Sequence, residues 1–196
     1  MGSAPTPNGR PMTSRHYRSE TWMDSRQDLR PSPIHGIGTF ARHAIHRGEV
    51  VETFGGRCTT DAEFRTFQQA TLRFNAVQID EDVHLVEHPE ISERRTGSLN
   101  HACDSNLWMA DEVTVVARRD IAPDEELTVD YALFSAQSDW VMDPSCQCGM
   151  PMCRGIIMGD DWKHKGVQAR YLDHFSPFLN ARIATLRADA RHPEIR

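Results

Sequence analysis

Apolar residues in this chain come in short runs: Ile34, Ile37 and Phe40, then Val50 and Val51, Val77 and Ile79, Val83, Leu85 and Val86, Val113, Val115 and Val116, and Leu127 and Val129. Each run is too short for a helix and several are β-branched. Turn-formers such as Arg47-Gly48, Glu81-Asp82 and Pro123-Asp124 punctuate them, so the pattern predicts many short strands. Residues 75–85 alternate apolar and polar positions across a tight turn, a hairpin signature. Helical spacing appears in three places. Residues 60–70 offer Thr60 or Asp61 as a cap and put Phe64 and Phe67 on one face. Residues 161–175, interrupted by Gly166, have Trp162, Val167 and Tyr171 as an apolar side. Residues 177–190 follow a Ser176 cap with Pro177 at the first helical position, and Leu179, Ile183 and Leu186 form a stripe. An isolated helix of that length is marginal in water. The stripe is therefore expected to pack against the domain or against a second copy in a homodimer.

Residues 1–30 are rich in Pro, Ser, Gly and Arg and poor in apolar side chains. Burial there cannot offset the entropy of ordering, so this stretch is expected to be disordered. The 196 residues fit one ordinary domain with flanking segments. A net charge of −6, with the acidic residues spread along the chain, argues against a broad nucleic-acid-binding face and suits a basic peptide. No apolar run approaches the roughly 20 residues that span a bilayer, and residues 1–30 lack the apolar core of a secretory signal. The expectation is an intracellular protein with no membrane segment, cytoplasmic, or nuclear if the source is eukaryotic.

Five cysteines are present. In a reducing compartment disulfides are rare, so clustered cysteines favour a metal. The run Cys146-Gln-Cys148-Gly-Met-Pro-Met-Cys153 supplies three thiolates. A tetrahedral zinc shell needs a fourth ligand from elsewhere. Cys103, isolated in Asn100-His101-Ala-Cys103-Asp-Ser-Asn106, is the natural candidate, and Cys58 is left over as a small core residue.

The order of four motifs is more specific than any one of them. Gly36-Ile37-Gly38-Thr39-Phe40-Ala41, then Asn100-His101-Ala-Cys103, then Glu126-Leu-Thr-Val-Asp130-Tyr131, then the C-x-C-x4-C run together resemble a SET-domain protein-lysine methyltransferase with a zinc-binding post-SET segment. The resemblance implies a mostly β, α+β fold of several small sheets around a knot-like crossing, with a zinc loop and C-terminal helices. It implies S-adenosyl-L-methionine as cofactor, its methionine part held by Gly36, Ile37 and Gly38 and its adenosine half by Asn100 and His101. Ile156 and Ile157 would cover the adenine. Tyr131 would be the catalytic residue and also touch the cofactor, Phe54, Val129 and Phe134 would line the substrate channel, and structural Zn2+ would sit on Cys103, Cys146, Cys148 and Cys153. Asp130 and Glu126 would be structural, with no proton-transfer role.

The chain departs from the family pattern at Val129, where an aromatic is frequent, and at Gly97-Ser98-Leu99, where Arg-Phe-x is usual. It also has Ser105 in place of Pro and Phe54 in place of Tyr. The expected organisation is a disordered segment over 1–28, a SET domain over 29–135, a post-SET segment over 136–158 and a helical extension over 159–196. The expected function is transfer of a methyl group to a lysine of a protein or peptide. The alternative is a catalytically silent, zinc-braced interaction module, and cofactor binding separates the two.

Overall fold

A computed structural model of the chain describes residues 16–70, 75–88, 90 and 99–191; Gly97 and Ser98 lie outside them. Eleven short strands form three small sheets among the described residues. The first, in the order β1-β4-β10-β9, joins Trp22–Met23, Val50–Thr53, Thr114–Ala117 and Leu107–Met109 in antiparallel pairs. The second has the order β2-β3-β11-β8: Gln27–Pro31, Ile37–Ala41, Glu126–Val129 and Asn100–His101. The third, β5-β7-β6, joins Arg57–Thr60, Val83–Val86 and Ala76–Asp80. The predicted hairpin is β6-β7, turning at Glu81-Asp82 with Asp82 at φ 53° and a register shift between Gln78 and Asp80.

Helix α1, Asp61–Ala70, begins on a reciprocal cap. The Glu63 N–H donates to Thr60 Oγ1 at 3.3 Å, and the Thr60 N–H donates to Glu63 Oε2 at 2.8 Å, which satisfies two otherwise orphaned donors. Phe64 points inward at 5 % exposure. The segment 161–175 splits into a 3₁₀ turn at Asp161–Lys163 and helix α2 at Lys165–Tyr171, because His164 between them is extended. Trp162, Val167 and Tyr171 are buried, as their spacing predicts. Helix α3 covers Pro177–Arg191. Leu179 and Ile183 are buried and Leu186 is exposed. Ser176 does not cap through its side chain: its carbonyl accepts from Leu179 and Asn180, while its hydroxyl is buried without a hydrogen-bond partner among the described residues.

Strand β1 and the start of β2 lie inside the stretch expected to be disordered. Trp22 and Met23 pair with β4, the Asp24 N–H donates to the Val51 carbonyl, and Arg26 bridges Asp24 and Glu49. The partners on and beside β4 lie 23 or more residues away in sequence, so local composition carries no trace of them. Residues 1–15, the rest of that expectation, lie outside the described residues.

One pairing sets up the site. β11 runs antiparallel to β3 and parallel to the two-residue β8, with Thr128 opposite Asn100 and Val129 opposite His101. The chain thus lays two distant motifs side by side, each followed directly by site residues: Ala102 and Cys103 after β8, Asp130 and Tyr131 after β11.

Candidate active site

Two hydrogen-bonding side chains hold the β8-β11 crossing. Asn106 accepts from the Thr128 N–H at 2.9 Å and donates to the Glu126 carbonyl at 2.8 Å, which pins the edge of β11. Glu126 accepts from Ser32 Oγ at 2.8 Å and from Asn100 Nδ2 at 2.8 Å, and the same amide donates to the His35 carbonyl at 3.0 Å. Gly38 leaves room for that carboxylate: a Cβ there would stand 2.2 Å from Glu126 Oε1. Gly36, at φ +49°, turns the loop back. Glu126 is thus a clasp joining loop 32–38 to Asn100.

His101 is 3 % exposed. Its Nδ1 accepts from the Tyr131 N–H at 3.2 Å, which leaves Nε2 to donate toward Cys103 Sγ at 3.4 Å. Burial pushes its pKa down to about 4, against the attraction of Asp130. The imidazole is therefore a neutral strut between the two crossing strands.

Tyr131 begins a 3₁₀ turn, Tyr131–Leu133, capped by Asp130 Oδ1 on the Ala132 N–H. Its hydroxyl donates to the Leu99 carbonyl at 3.1 Å. Burial pushes the phenol up to about 12, so it stays protonated at neutral pH and serves as a hydrogen-bonding group, not as a base. Tyr131 opens onto a cavity of about 230 Å3. One wall is aromatic: Phe134 and Trp140 have ring centroids 5.9 and 6.2 Å from that of Tyr131, and Phe54 stands 5.9 Å from Phe134. Val129 and Leu99 also line it, and the other side is polar, with Gln78, His84 and Gln137. His84 is held by Asp61 Oδ1 at 3.1 Å, which also accepts from Gln137. The structure thus brings the expected channel residues Phe54, Val129 and Phe134 together with Tyr131. Sequence reasoning missed Trp140 and Phe64; Trp140 lies between the recognised motifs, where no spacing marks it.

The four thiols of Cys103, Cys146, Cys148 and Cys153 lie within 4.8 Å of one another, and none is in a disulfide. Thiolates at about 2.3 Å from one ion in a tetrahedral array stand about 3.8 Å apart, so the donor set fits zinc. The cluster packs with Ala102, Ile157, Trp140 and Met142. Ile157 is fully buried there, whereas Ile156 is 60 % exposed on the other side of the loop. Only Ile156 is thus free to cover a ligand.

Arg154, next to the last thiol, carries an ion network that sequence reasoning did not foresee. It grips Asp130 through two nitrogens at 2.7 and 2.8 Å and Asp161 at 2.8 Å, and its N–H donates to Cys103 Sγ at 3.3 Å. Asp130 and Asp161 are buried at 0 and 2 %. The network joins the tyrosine turn, the thiol loop and the C-terminal extension. Ser105, where a proline is usual in the resemblance, donates its N–H to the hydroxyl of Tyr171 at 3.1 Å; a proline would forfeit that bond.

These features define a SET-type site, and residues 36–132 match the family model described as SET domain. The chain carries a SET domain. Among curated proteins it is 29 % identical over 156 residues to the histone-lysine N-methyltransferase ATX2 of Arabidopsis thaliana, covering 72 % of this chain and 14 % of that protein. It is 30 % identical over 139 residues to the H3 lysine-4 specific histone-lysine N-methyltransferase of Schizosaccharomyces pombe, covering 65 and 14 % respectively. The chain thus spans about one seventh of the length of these relatives. Among solved structures, the methyltransferase domain of human histone-lysine N-methyltransferase SETMAR superposes with a TM-score of 0.50 at 17 % identity, over 68 % of this chain and 58 % of that one, a likeness of fold.

Proposed function

We propose that this chain transfers a methyl group from S-adenosylmethionine to a lysine side chain of a protein. The observation that carries the reading is Tyr131: a protonated hydroxyl, fixed by the β8-β11 crossing, at the end of an aromatic-walled cavity. Bound S-adenosylmethionine supplies an electrophilic methyl group on a sulfonium. Loop 36–38, Asn100, His101 and the exposed Ile156 are the residues to hold it, since one clasp, Glu126, orders both the loop and Asn100. Phe54, Val129 and Phe134 guide the apolar stem of the lysine. The Tyr131 hydroxyl and the Leu99 carbonyl orient its amine.

A lysine amine has an unperturbed pKa near 10.4 and must be neutral to attack. No carboxylate is among the described residues that line the cavity, so the proton leaves to solvent before the water-poor wall closes around the stem. Zinc on Cys103, Cys146, Cys148 and Cys153 ties the thiol loop to the end of β8 and so holds Trp140 and Ile156 beside the site.

The relatives are named for histone lysines, and H3 is the first substrate to try. Incubation with S-adenosylmethionine labelled on the methyl group, followed by mass spectrometry of H3 and of an extract of the source cells, is expected to place label on lysine Nζ. Label nowhere in protein, with measurable cofactor binding, would end the reading.

A further inference from the structure

We infer that Arg154 is a positioning residue for the methyl transfer: through Asp130, its guanidinium aims the turn that carries the Tyr131 hydroxyl. The inference rests on the reading of Tyr131 as the group that orients the amine, and it names what holds that group in place. Three observations carry it.

The first is how little the turn fixes by itself. Tyr131–Leu133 is a single turn of 3₁₀ helix, and so short a helix, with its poorer hydrogen-bond geometry, does not set its own direction. Within it the Asp130 carbonyl accepts from the Leu133 N–H at 3.0 Å, and the Tyr131 carbonyl from the Phe134 and Ser135 N–H groups at 3.3 and 3.0 Å. Direction comes from outside, at two points. His101 Nδ1 receives the Tyr131 N–H from the β8 side, and Arg154 reaches Asp130 from the thiol loop.

The second is the form of the grip. Arg154 Nη1 donates to Asp130 Oδ2 at 2.8 Å and Nη2 to Oδ1 at 2.7 Å, a two-pronged bond that fixes the plane of the carboxylate as well as its place. The same Oδ1 caps the Ala132 N–H at 3.1 Å, so a rotation of the carboxylate would turn the cap with it. Arg154 is itself held at its other end. Its Nε donates to Asp161 at 2.8 Å and its backbone N–H to Cys103 Sγ at 3.3 Å. Asp130 is thereby located from fixed points on the C-terminal extension and on the loop just after β8.

The third is burial. The Asp130 side chain is fully buried and that of Arg154 only 14 % exposed. Desolvation offsets most of the attraction in a buried ion pair, and well-packed apolar residues often serve stability as well or better. What apolar residues do not supply is a fixed direction. Asp130 directly precedes Tyr131, and a misplacement of about 1 Å at reacting groups costs on the order of 10²-fold in rate. The pair stands where direction matters most to the chemistry.

The test separates the two arms of this one guanidinium in the full chain. Asp130→Asn keeps an acceptor for the cap but weakens the two-pronged bond. Arg154→Lys keeps the buried positive charge but has no fork. Asp161→Asn weakens the other arm and leaves the grip on Asp130 intact. In Asp130→Asn and Arg154→Lys, turnover on the protein that the wild type labels is expected to fall about 10- to 100-fold, with KM and the S-adenosylmethionine dissociation constant changed less than about threefold. In Asp161→Asn turnover is expected to stay within about twofold of the wild type, although the urea midpoint falls in all three variants. Hydrogen exchange of the amides of residues 131–135, read by mass spectrometry without cofactor, is expected to quicken about tenfold or more in the first two variants and not in the third. Unchanged zinc content and circular dichroism establish which variants fold. Asp130→Asn and Arg154→Lys alter opposite partners of one bond, so either one that folds decides. Turnover near that of the wild type in a folded Asp130→Asn or Arg154→Lys would overturn the positioning role. So would an Asp161→Asn that loses as much turnover as they do, or loss of the fold in both, each of which makes Arg154 a structural tie. A wild type that transfers no methyl group refutes the proposed function alone, since the exchange rates still read the turn; methyl transfer untouched by either variant refutes the positioning role alone.

Discussion

Tyr131 differs from a phenylalanine by one oxygen, and that oxygen reaches the Leu99 carbonyl at the cavity wall. Tyr131→Phe keeps the ring contacts with His101, Phe134 and Trp140. If the hydroxyl aligns the amine in the transition state, the variant is expected to fold, bind S-adenosylmethionine nearly as the wild type does, and lose about 10²-fold or more in turnover, the order seen on removing one preorganised donor. Single-turnover transfer and cofactor dissociation constants measured together check it; equal rates would remove Tyr131 from the chemistry.

Arg154 belongs to the same scale. Arg154→Ala strands the buried carboxylates of Asp130 and Asp161, and breaking such a network from one side costs about 3–5 kcal/mol. Arg154→Lys carries the charge but cannot form the two-pronged grip on Asp130, so an intermediate loss in urea unfolding is expected. His84 gives a pH dependence. Desolvation lowers its pKa below 6.5, with Asp61 and Asp82 opposing and Arg65 adding to the shift. The unfolded state takes up the proton first, so this contribution to stability is full above about pH 6.5 and is lost as pH falls through the window below it. His84→Gln is expected to reduce the fall in urea midpoint between pH 7 and pH 5; an unchanged fall would mean that His84 is already solvated.

At the scale of elements, what was legible was what repeats locally. The α1 cap, the β6-β7 hairpin and the stripe of α3 follow from residues within a few positions of one another. Strand β1 was illegible because its partner β4 is remote, and β2, though it pairs with nearby β3, because Gln27–Pro31 carries almost no apolar pattern to mark it; the Ser176 cap failed because its carbonyl, not its hydroxyl, took the helix donors. Chemistry followed the same division. Thiols, Tyr131 and the Asn100-His101 pair were marked by motif, whereas Arg154 and Trp140 gain their roles only from what folds against them.

Helix α3 buries Phe178, Leu179 and Ile183, and Arg182 ties it to Glu81 in the β6-β7 turn. Burial of three such side chains contributes about 5–9 kcal/mol as an upper bound, comparable with the whole stability of a small domain. Removal of residues 176–196 is therefore expected to abolish the cooperative thermal transition or lower Tm steeply. An unchanged transition would show that the stripe carries little.

Among the described residues, the thiol cluster is the one place where a metal, and not packing alone, is to hold a residue, Cys103, to a loop that begins 43 positions later. Elemental analysis is expected to find about one zinc per chain, and Cys103→Ser to lose it. A chelator should lower Tm and alter Trp140 fluorescence while far-ultraviolet dichroism from the three sheets changes less. Full zinc content in a folded Cys103→Ser would remove that ligand.

The antiparallel seating of β11 against β3 also bears on the birth of the protein. Strand β3 is made early, yet its neighbour Glu126–Val129 leaves the ribosome more than 80 residues later, and the last thiol later still. Pairings so far apart in sequence form slowly, since a long loop closes before any contact repays it. Cells starved of zinc would thus accumulate chains that have synthesised every strand but cannot lock the final loop. Such chains would be the preferred prey of proteases that cut near residue 146, and supplementing the growth medium with zinc during expression, not after purification, should decide the yield of intact protein.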